Sequence, residues 1–205
     1  MRVALAALVW SLGIFIFSTL PATAVTAYPV PLVQPIFPPD MGTLTVTSTT
    51  FSNGGTIPFP NVSKGCGSPQ ADGQDISPQI SWTAGPAGTA SYVVTIFDTD
   101  APTGVGFWHW IVFNIPPNVT SLPEDASRNM VAGAIQGYGD AGVSVFHGPC
   151  PPVGDKPHHY WITVSAMSTM FKGFGPGAGG ARVAFLMSKA AKVLARGQYL
   201  GLYGR

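Results

Sequence analysis

A β-sandwich carrying a single helix near the C-terminus is the fold class this sequence predicts. Three observations lead there. Gly 25 and Pro 20 are abundant among 205 residues while only 9% are charged, the composition of many turns joining short segments. Three near-continuous runs of β-branched and aromatic residues, Tyr92–Phe97, Phe107–Ile115 and Tyr160–Met167, are separated by turn residues. Only one stretch, after Gly180, carries apolar residues at helical spacing.

In chain order, the first residues read as a leader. Arg2 is a short positive region, Val3 to Leu20 is apolar, Pro21 breaks the run, and Ala22-Thr23-Ala24 and Val25-Thr26-Ala27 are small-residue cleavage sequences. That order is a secretory signal peptide over residues 1–27, with the mature chain starting near Thr26 or Tyr28 in a secreted or periplasmic setting. An uncleaved anchor is the alternative, since an apolar stretch of ~18 residues can span a bilayer. Residues 28–42 are a proline-rich, extended lead-in. Residues 43–205 are then one domain, a length that all-β folds commonly fill without dividing.

Leu44-Thr45-Val46-Thr47-Ser48 alternates apolar and polar residues, the period of a half-buried strand. Asn53-Gly54-Gly55 is a turn, Ile57-Pro58-Phe59-Pro60 is extended, and Ser63 to Pro78 is a long polar loop. Gln79 to Thr83 is a short strand carrying Trp82, followed by the three strong strands. Val183, Leu186, Ala190, Val193 and Leu194 then form one helix face, with Lys189, Lys192 and Arg196 on another.

Charge and cysteines narrow the function classes. Ten Lys and Arg less Arg2 leave nine, against nine Asp and Glu, so the mature chain is neutral and unsuited to nucleic acid. Lys172, Arg182, Lys189, Lys192, Arg196 and Arg205 all follow the last acid, Asp155. They read as a solvated helix face, or as a weak contact with an acidic membrane surface. Cys66 and Cys150 are a pair in an oxidising compartment, which predicts a disulfide. Asn61-Val62-Ser63 and Asn118-Val119-Thr120 are glycosylation sequons.

The chemistry-bearing residues lie in three places. Asp98 and Asp100 follow the first strong strand and are expected on one face, ~7 Å apart, where they would orient a histidine, bind a metal or cap the turn. His109 sits inside the apolar strand Phe107-Trp108-His109-Trp110-Ile111, where an imidazole needs a partner or a purpose. His147 to Tyr160 is a rigid Pro/Gly loop leading into a strand in which His158 and Tyr160 share a face opposite His159, a cradle for an oxyanion or phosphate. Each also has a plain structural reading: a capped turn, a core histidine, an ordinary loop.

These segments carry a resemblance. Asp98-Thr99-Asp100-Ala101-Pro102 resembles the D-P-D-A-P signature of the phosphatidylethanolamine-binding protein family, with Thr99 where proline is usual. Phe107-Trp108-His109-Trp110 with Asn114 is similar to its histidine strand. Gly148-Pro149-Cys150-Pro151-Pro152 followed by His158-His159-Tyr160, and Asp75-Ile76-Ser77-Pro78 with Trp82, resemble its bacterial branch. The likeness runs from about Phe51 to Met167, and more loosely to the C-terminal helix.

The resemblance implies an antiparallel sandwich of a large and a small sheet with a pocket at one edge. That pocket would take phosphate, acetate or a phospholipid head group, and its walls would be Asp98, Asp100, His109, Pro151, His158 and Tyr160. Asp98 and Asp100 would orient His109 and His158 and favour their cationic forms. The loop around Pro151-Pro152 would add backbone donors from its non-proline residues, and Tyr160 a hydroxyl. Relatives act as kinase or protease inhibitors and signalling adaptors, so a protein target is open, as is an extracellular inhibitor that bypasses the pocket. The chain is expected to bind rather than catalyse, without cofactor or metal. A zinc hydrolase using His109, His158 or His159 and Asp98 lacks any compact ligand motif, no G-x-S-x-G occurs, and pairing with Cys66 silences Cys150 as a nucleophile.

Overall fold

The structure is a computed structural model and describes residues 41–66, 72–189 and 192–205. The leader, most of the proline-rich lead-in and Ala190 lie outside the described residues. The chain forms β1 (Gly42–Thr43), β2 (Val46–Thr47), β3 (Gly55–Thr56), a 3-10 turn (Phe59–Asn61) and β4 (Ile80–Trp82). There follow β5 (Ser91–Asp98), β6 (Phe107–Ile115), β7 (Ser121–Leu122), β8 (Ile135–Gln136) and β9 (His158–Met167). Helix α1 (Gly180–Lys189) and β10 (Val193–Tyr203) complete it.

The large sheet has the order β1-β10-β9-β5-β6-β8, with β3 also on β10, and the small sheet has the order β2-β4-β7. The β5, β6, β8, β9 and β10 pairings are antiparallel, while β1 and β3 join β10 in parallel. β5 is buried on both faces, as its unbroken apolar run requires. Tyr92, Val94 and Ile96 enter the core between the sheets with Trp110, Val112, Tyr160 and Ile162. On the other face, Val93 joins Ile111, Phe113, Met167 and Phe171, which pack against Val183 and Met187 of α1. Among the described residues no helix is long and apolar enough to cross a membrane.

Three local expectations are corrected. Ile57-Pro58-Phe59-Pro60 is not wholly extended, because the fixed proline φ lets Phe59–Asn61 close a 3-10 turn. The helix stops at Lys189, so Val193, Leu194 and Arg196 lie in β10 rather than on helix faces. β10 alternates buried and half-buried positions throughout, and Gly197 and Gly201 are required by close approach. A Cβ on Gly197 would stand 2.3 Å from the Leu44 carbonyl oxygen, and one on Gly201 2.7 Å from Ile57. The basic residues of this region do not share one face either. Arg182 lies over the Phe174 ring, Arg196 enters the sheet, and Arg205 donates to the Pro151 carbonyl at 2.7 Å.

Candidate functional site

Three strands of the large sheet end together. Asp98 on β5 is opposite Tyr160 on β9, and Tyr203 on β10 is opposite His158. The register therefore brings the Asp98 turn and the His158 strand into contact from positions far apart in sequence. Asp98 and His158 are both buried, and His158 Nδ1–H donates to Asp98 Oδ2 at 2.8 Å. The second His158 nitrogen faces Asp155 Oδ2 at 3.4 Å. Burial acts to lower the pKa of this imidazole, but the Asp98 contacts, aided by Asp155, prevail and raise it above its ordinary value.

Tyr160 lies beside this pair, with its ring centroid 5.1 Å from that of His109. Its hydroxyl is buried and close to the Asp98 carboxylate, yet among the described residues it makes no hydrogen bond of full geometry. Burial, and then the Asp98 charge, push its ionisation far above the ordinary tyrosine value, so it stays a neutral donor.

His109 differs from expectation. Its Nδ1 lies 2.7 Å from the His147 carbonyl oxygen, which fixes the proton on Nδ1 and leaves a lone pair on Nε2 of the neutral ring. Burial drives its pKa down to about 4, outweighing both that hydrogen bond and the Asp98 charge. The expected cationic His109 is thus corrected: the ring is neutral near pH ~7. Its partner is a backbone carbonyl, not a carboxylate.

Asp100 is also corrected. β5 ends at Asp98, so strand alternation no longer applies two residues on. The Asp100 backbone N–H donates to Asp98 Oδ1 at 2.8 Å, an Asx turn. Its carboxylate points outward and accepts from the backbone N–H and Nδ1 of His159, at 2.7 and 2.8 Å. Burial opposes it, yet those bonds hold the Asp100 carboxyl below its ordinary pKa. Asp100 therefore shapes the turn, pairs with exposed His159 and reaches His158 only through its charge, while Asp98 makes the close hydrogen bond to His158.

The Pro-rich loop is clamped against residues 61–66. Cys66 and Cys150 are disulfide-bonded with Cα atoms 5.4 Å apart. The Ser63 N–H donates to the Pro149 carbonyl at 3.0 Å, and the Gly148 N–H to Asp75 Oδ1 at 2.8 Å. Gly148 needs its missing side chain, since a Cβ there would lie 2.4 Å from the Ser63 nitrogen. Pro151 is buried, and its carbonyl takes Arg205, two residues beyond the strand partner of His158. A small, apolar hollow between the sheets reaches the cluster at Pro149 and Tyr160.

Some contributors were not singled out from sequence as parts of this site. The His147 ring lies parallel to His109 at 6.2 Å, with Nδ1 3.6 Å from Asp75 Oδ1. Asp75 adopts a φ of 53°, a left-handed conformation uncommon outside glycine. The Asp75-Ile76-Ser77-Pro78 segment was noticeable, but its contact with the loop 73 residues later was not. Asn61 is buried with its amide donating to the Ile76 carbonyl at 2.8 Å, so the first sequon is closed to glycosylation in the folded chain, whereas Asn118 is exposed. Among the described residues no group of three or more His, Cys, Asp and Glu is placed to hold a metal ion.

A two-sheet sandwich with a histidine–carboxylate cluster where β5, β9 and β10 end defines one class of β-sandwich binding proteins. The chain belongs to the phosphatidylethanolamine-binding protein family, whose model it matches over residues 47–204. It is 42% identical over 147 residues to YbcL of Escherichia coli K12, covering 70% of this chain and 79% of that one. It is 40% identical over 141 residues to YbhB of the same organism, covering 67% and 87%. The crystal structure of E. coli YbcL, described as a new member of the mammalian PEBP family, is similar with a TM-score of 0.73 and 38% identity, over 80% of this chain and 99% of that one.

Proposed function

We propose that this chain is an exported binding protein that holds a phosphate-bearing head group, free or on a phospholipid, at the cluster of His109, His158 and Tyr160, and that it performs no catalysis. The observation that carries the reading is the buried Tyr160 hydroxyl, a neutral donor with no well-formed hydrogen bond, beside His158, whose cationic form Asp98 favours. A buried donor without a well-formed hydrogen bond is costly, and an anion oxygen would satisfy it. Neutral His109 complements a protonated phosphate oxygen through Nε2, or takes up a proton as the anion binds. Export is supported by the leader sequence, by the disulfide, and by 32% identity over 176 residues to LppC of Mycobacterium tuberculosis, a candidate lipoprotein (85% of this chain, 77% of that one).

Calorimetric titration of phosphate and of phosphoethanolamine into the mature protein tests this. Tyr160→Phe and His158→Gln should each weaken binding roughly tenfold to a hundredfold, the value of one charge-assisted hydrogen bond. Binding heats should depend on the ionisation enthalpy of the buffer in the wild type and lose that dependence in His109→Asn. Affinities equal across wild type, Tyr160→Phe and His158→Gln would place the ligand elsewhere.

A further inference from the structure

Of the basic residues from Lys172 to the C-terminus, Arg196 and Arg205 are drawn into the fold, and the other four stay exposed. Lys172, Arg182, Lys189 and Lys192 are scattered in sequence, but tertiary contacts gather them. Val183 and Met187 turn α1 towards the sheet, so Phe185, two residues from each, faces away and is 60% exposed. Arg182 and Lys189 stand three residues before and four after Phe185, on the same outward face of the helix. The segment 168–174 is fastened beside it at both ends. Arg182 lies over the Phe174 ring at 5.2 Å. At the other end, the Ser168 N–H donates to the Lys192 carbonyl at 2.9 Å and the Lys192 N–H donates to Ser168 Oγ at 3.0 Å. Phe171 anchors the middle inward against α1, which leaves its neighbours Met170 and Lys172 exposed.

The surface around these residues has no compensating acid. No Asp or Glu follows Asp155, and segments 83–90 and 114–120, which bond to Met167 and Phe171, carry no charged residue. Among the described residues none of the four cations forms an ion pair. We propose that this surface docks on an anionic lipid bilayer, with Phe185 and Met170 seated at the head-group boundary and the four cations on the surrounding lipid phosphates. An exposed aromatic between cations on a short amphipathic helix matches an interface that is apolar below and anionic above. Three of the four cations are lysines, point charges on flexible stems, which suit mobile head groups better than the fixed carboxylates of a folded partner. The surface lies on the α1 side of the large sheet, whereas Tyr160 of the head-group cluster packs on the other side, so docking needs no occupant in that cluster.

Vesicle sedimentation with the mature protein tests this. At low salt the wild type should bind vesicles of equal parts phosphatidylglycerol and phosphatidylcholine at least about tenfold more tightly than vesicles of phosphatidylcholine alone. Rising salt should erase that difference. Lys172→Gln, Lys189→Gln and Lys192→Gln should each weaken binding to the anionic vesicles about fivefold, whereas Lys156→Gln, in the loop beside the head-group cluster, should leave it unchanged. Phe185→Ser should weaken it about tenfold without altering its salt dependence, because the lost contact is apolar. Excess phosphoethanolamine should not release the protein, and this holds whether or not the head-group cluster binds phosphate. Equal binding to the two kinds of vesicle overturns the proposal, as does a loss in Lys156→Gln that matches the loss in Lys172→Gln. Unchanged binding in Phe185→Ser overturns it as well, since the surface would then attract any polyanion rather than a bilayer. The substituted residues are all exposed, so the variants alter the surface and leave the core intact.

Discussion

The neutral, buried His109 makes a testable demand on stability in acid. Its pKa falls from an ordinary 6.5 to about 4 because burial excludes the charged ring. An unfolded chain would protonate His109 first as pH drops, so acid favours unfolding. The stabilisation is complete above about pH 6.5 and is lost progressively towards about pH 4. A shift of that size corresponds to about 3 kcal/mol across the window, at 1.36 kcal/mol for each pH unit. His109→Asn is the informative variant, because an amide can still donate to the His147 carbonyl and cannot titrate. Urea unfolding of both proteins, at steps between about pH 4 and 7, gives two stability curves. Carboxylates contribute to both curves and cancel in their difference, which should narrow by about 3 kcal/mol as pH falls. Loss of packing in the variant only offsets the curves. A difference that stays constant with pH would mean that His109 carries its proton as easily folded as unfolded, and the reasoning from burial fails.

His158 should behave in the opposite sense. Its folded pKa is raised, so its pairing with Asp98 stabilises fully below the unfolded value near 6.5 and is lost as pH rises through the folded value; Asp98→Asn should remove this alkaline decline, as followed by NMR titration of the His158 ring. Asn114→Ala should cost about 2–4 kcal/mol in denaturant unfolding, because Asn114 holds a φ of 57° and bonds both backbone groups of Phe171, at 2.9 and 2.7 Å. Replacing Cys66 and Cys150 by serine opens a loop with a separation of 84 residues, which the chain-entropy relation values on the order of 4–5 kcal/mol. Unfolding midpoints with and without reductant measure that loss, and a midpoint unchanged by reduction would contradict it.

The strands whose two faces are both covered were legible in the sequence, because double burial writes a continuous apolar run and turn residues bracket it. β10 was not, because its burial pattern competes with a second period. Val193 and Leu194 continue the helical spacing of Val183 and Leu186, and the alternation Ala195, Gly197, Tyr199, Gly201, Tyr203 hides its inward face behind glycines. Those glycines exist for a long-range reason, the passage of Leu44 and Ile57 across the strand, that local periodicity does not record. At the site, residue types were readable but partners were not. Asp98 and Asp100 look equivalent in sequence, and only the end of β5 and its register with β9 send one to buried His158 and the other to exposed His159. His109 was misjudged because a histidine between tryptophans does not announce whether its partner is a carboxylate or a carbonyl.

The placement of β10 also constrains how the molecule assembles. Its neighbours on one side are Gly42–Thr43 and Gly55–Thr56, roughly 150 positions earlier, and on the other side all of β9. A chain emerging N-terminus first can pair β5 with β6 and then with β9, but β9 then keeps an unsatisfied row of ten residues until β10 arrives. Over that interval the intermediate offers an open, strongly apolar edge to any other extended chain. Such non-local closure is slow, since the entropy of a long loop is lost before its contacts form. Refolding yield should therefore fall steeply with protein concentration, and a chaperone that shields the β9 edge would act at the step where this fold is most exposed to error.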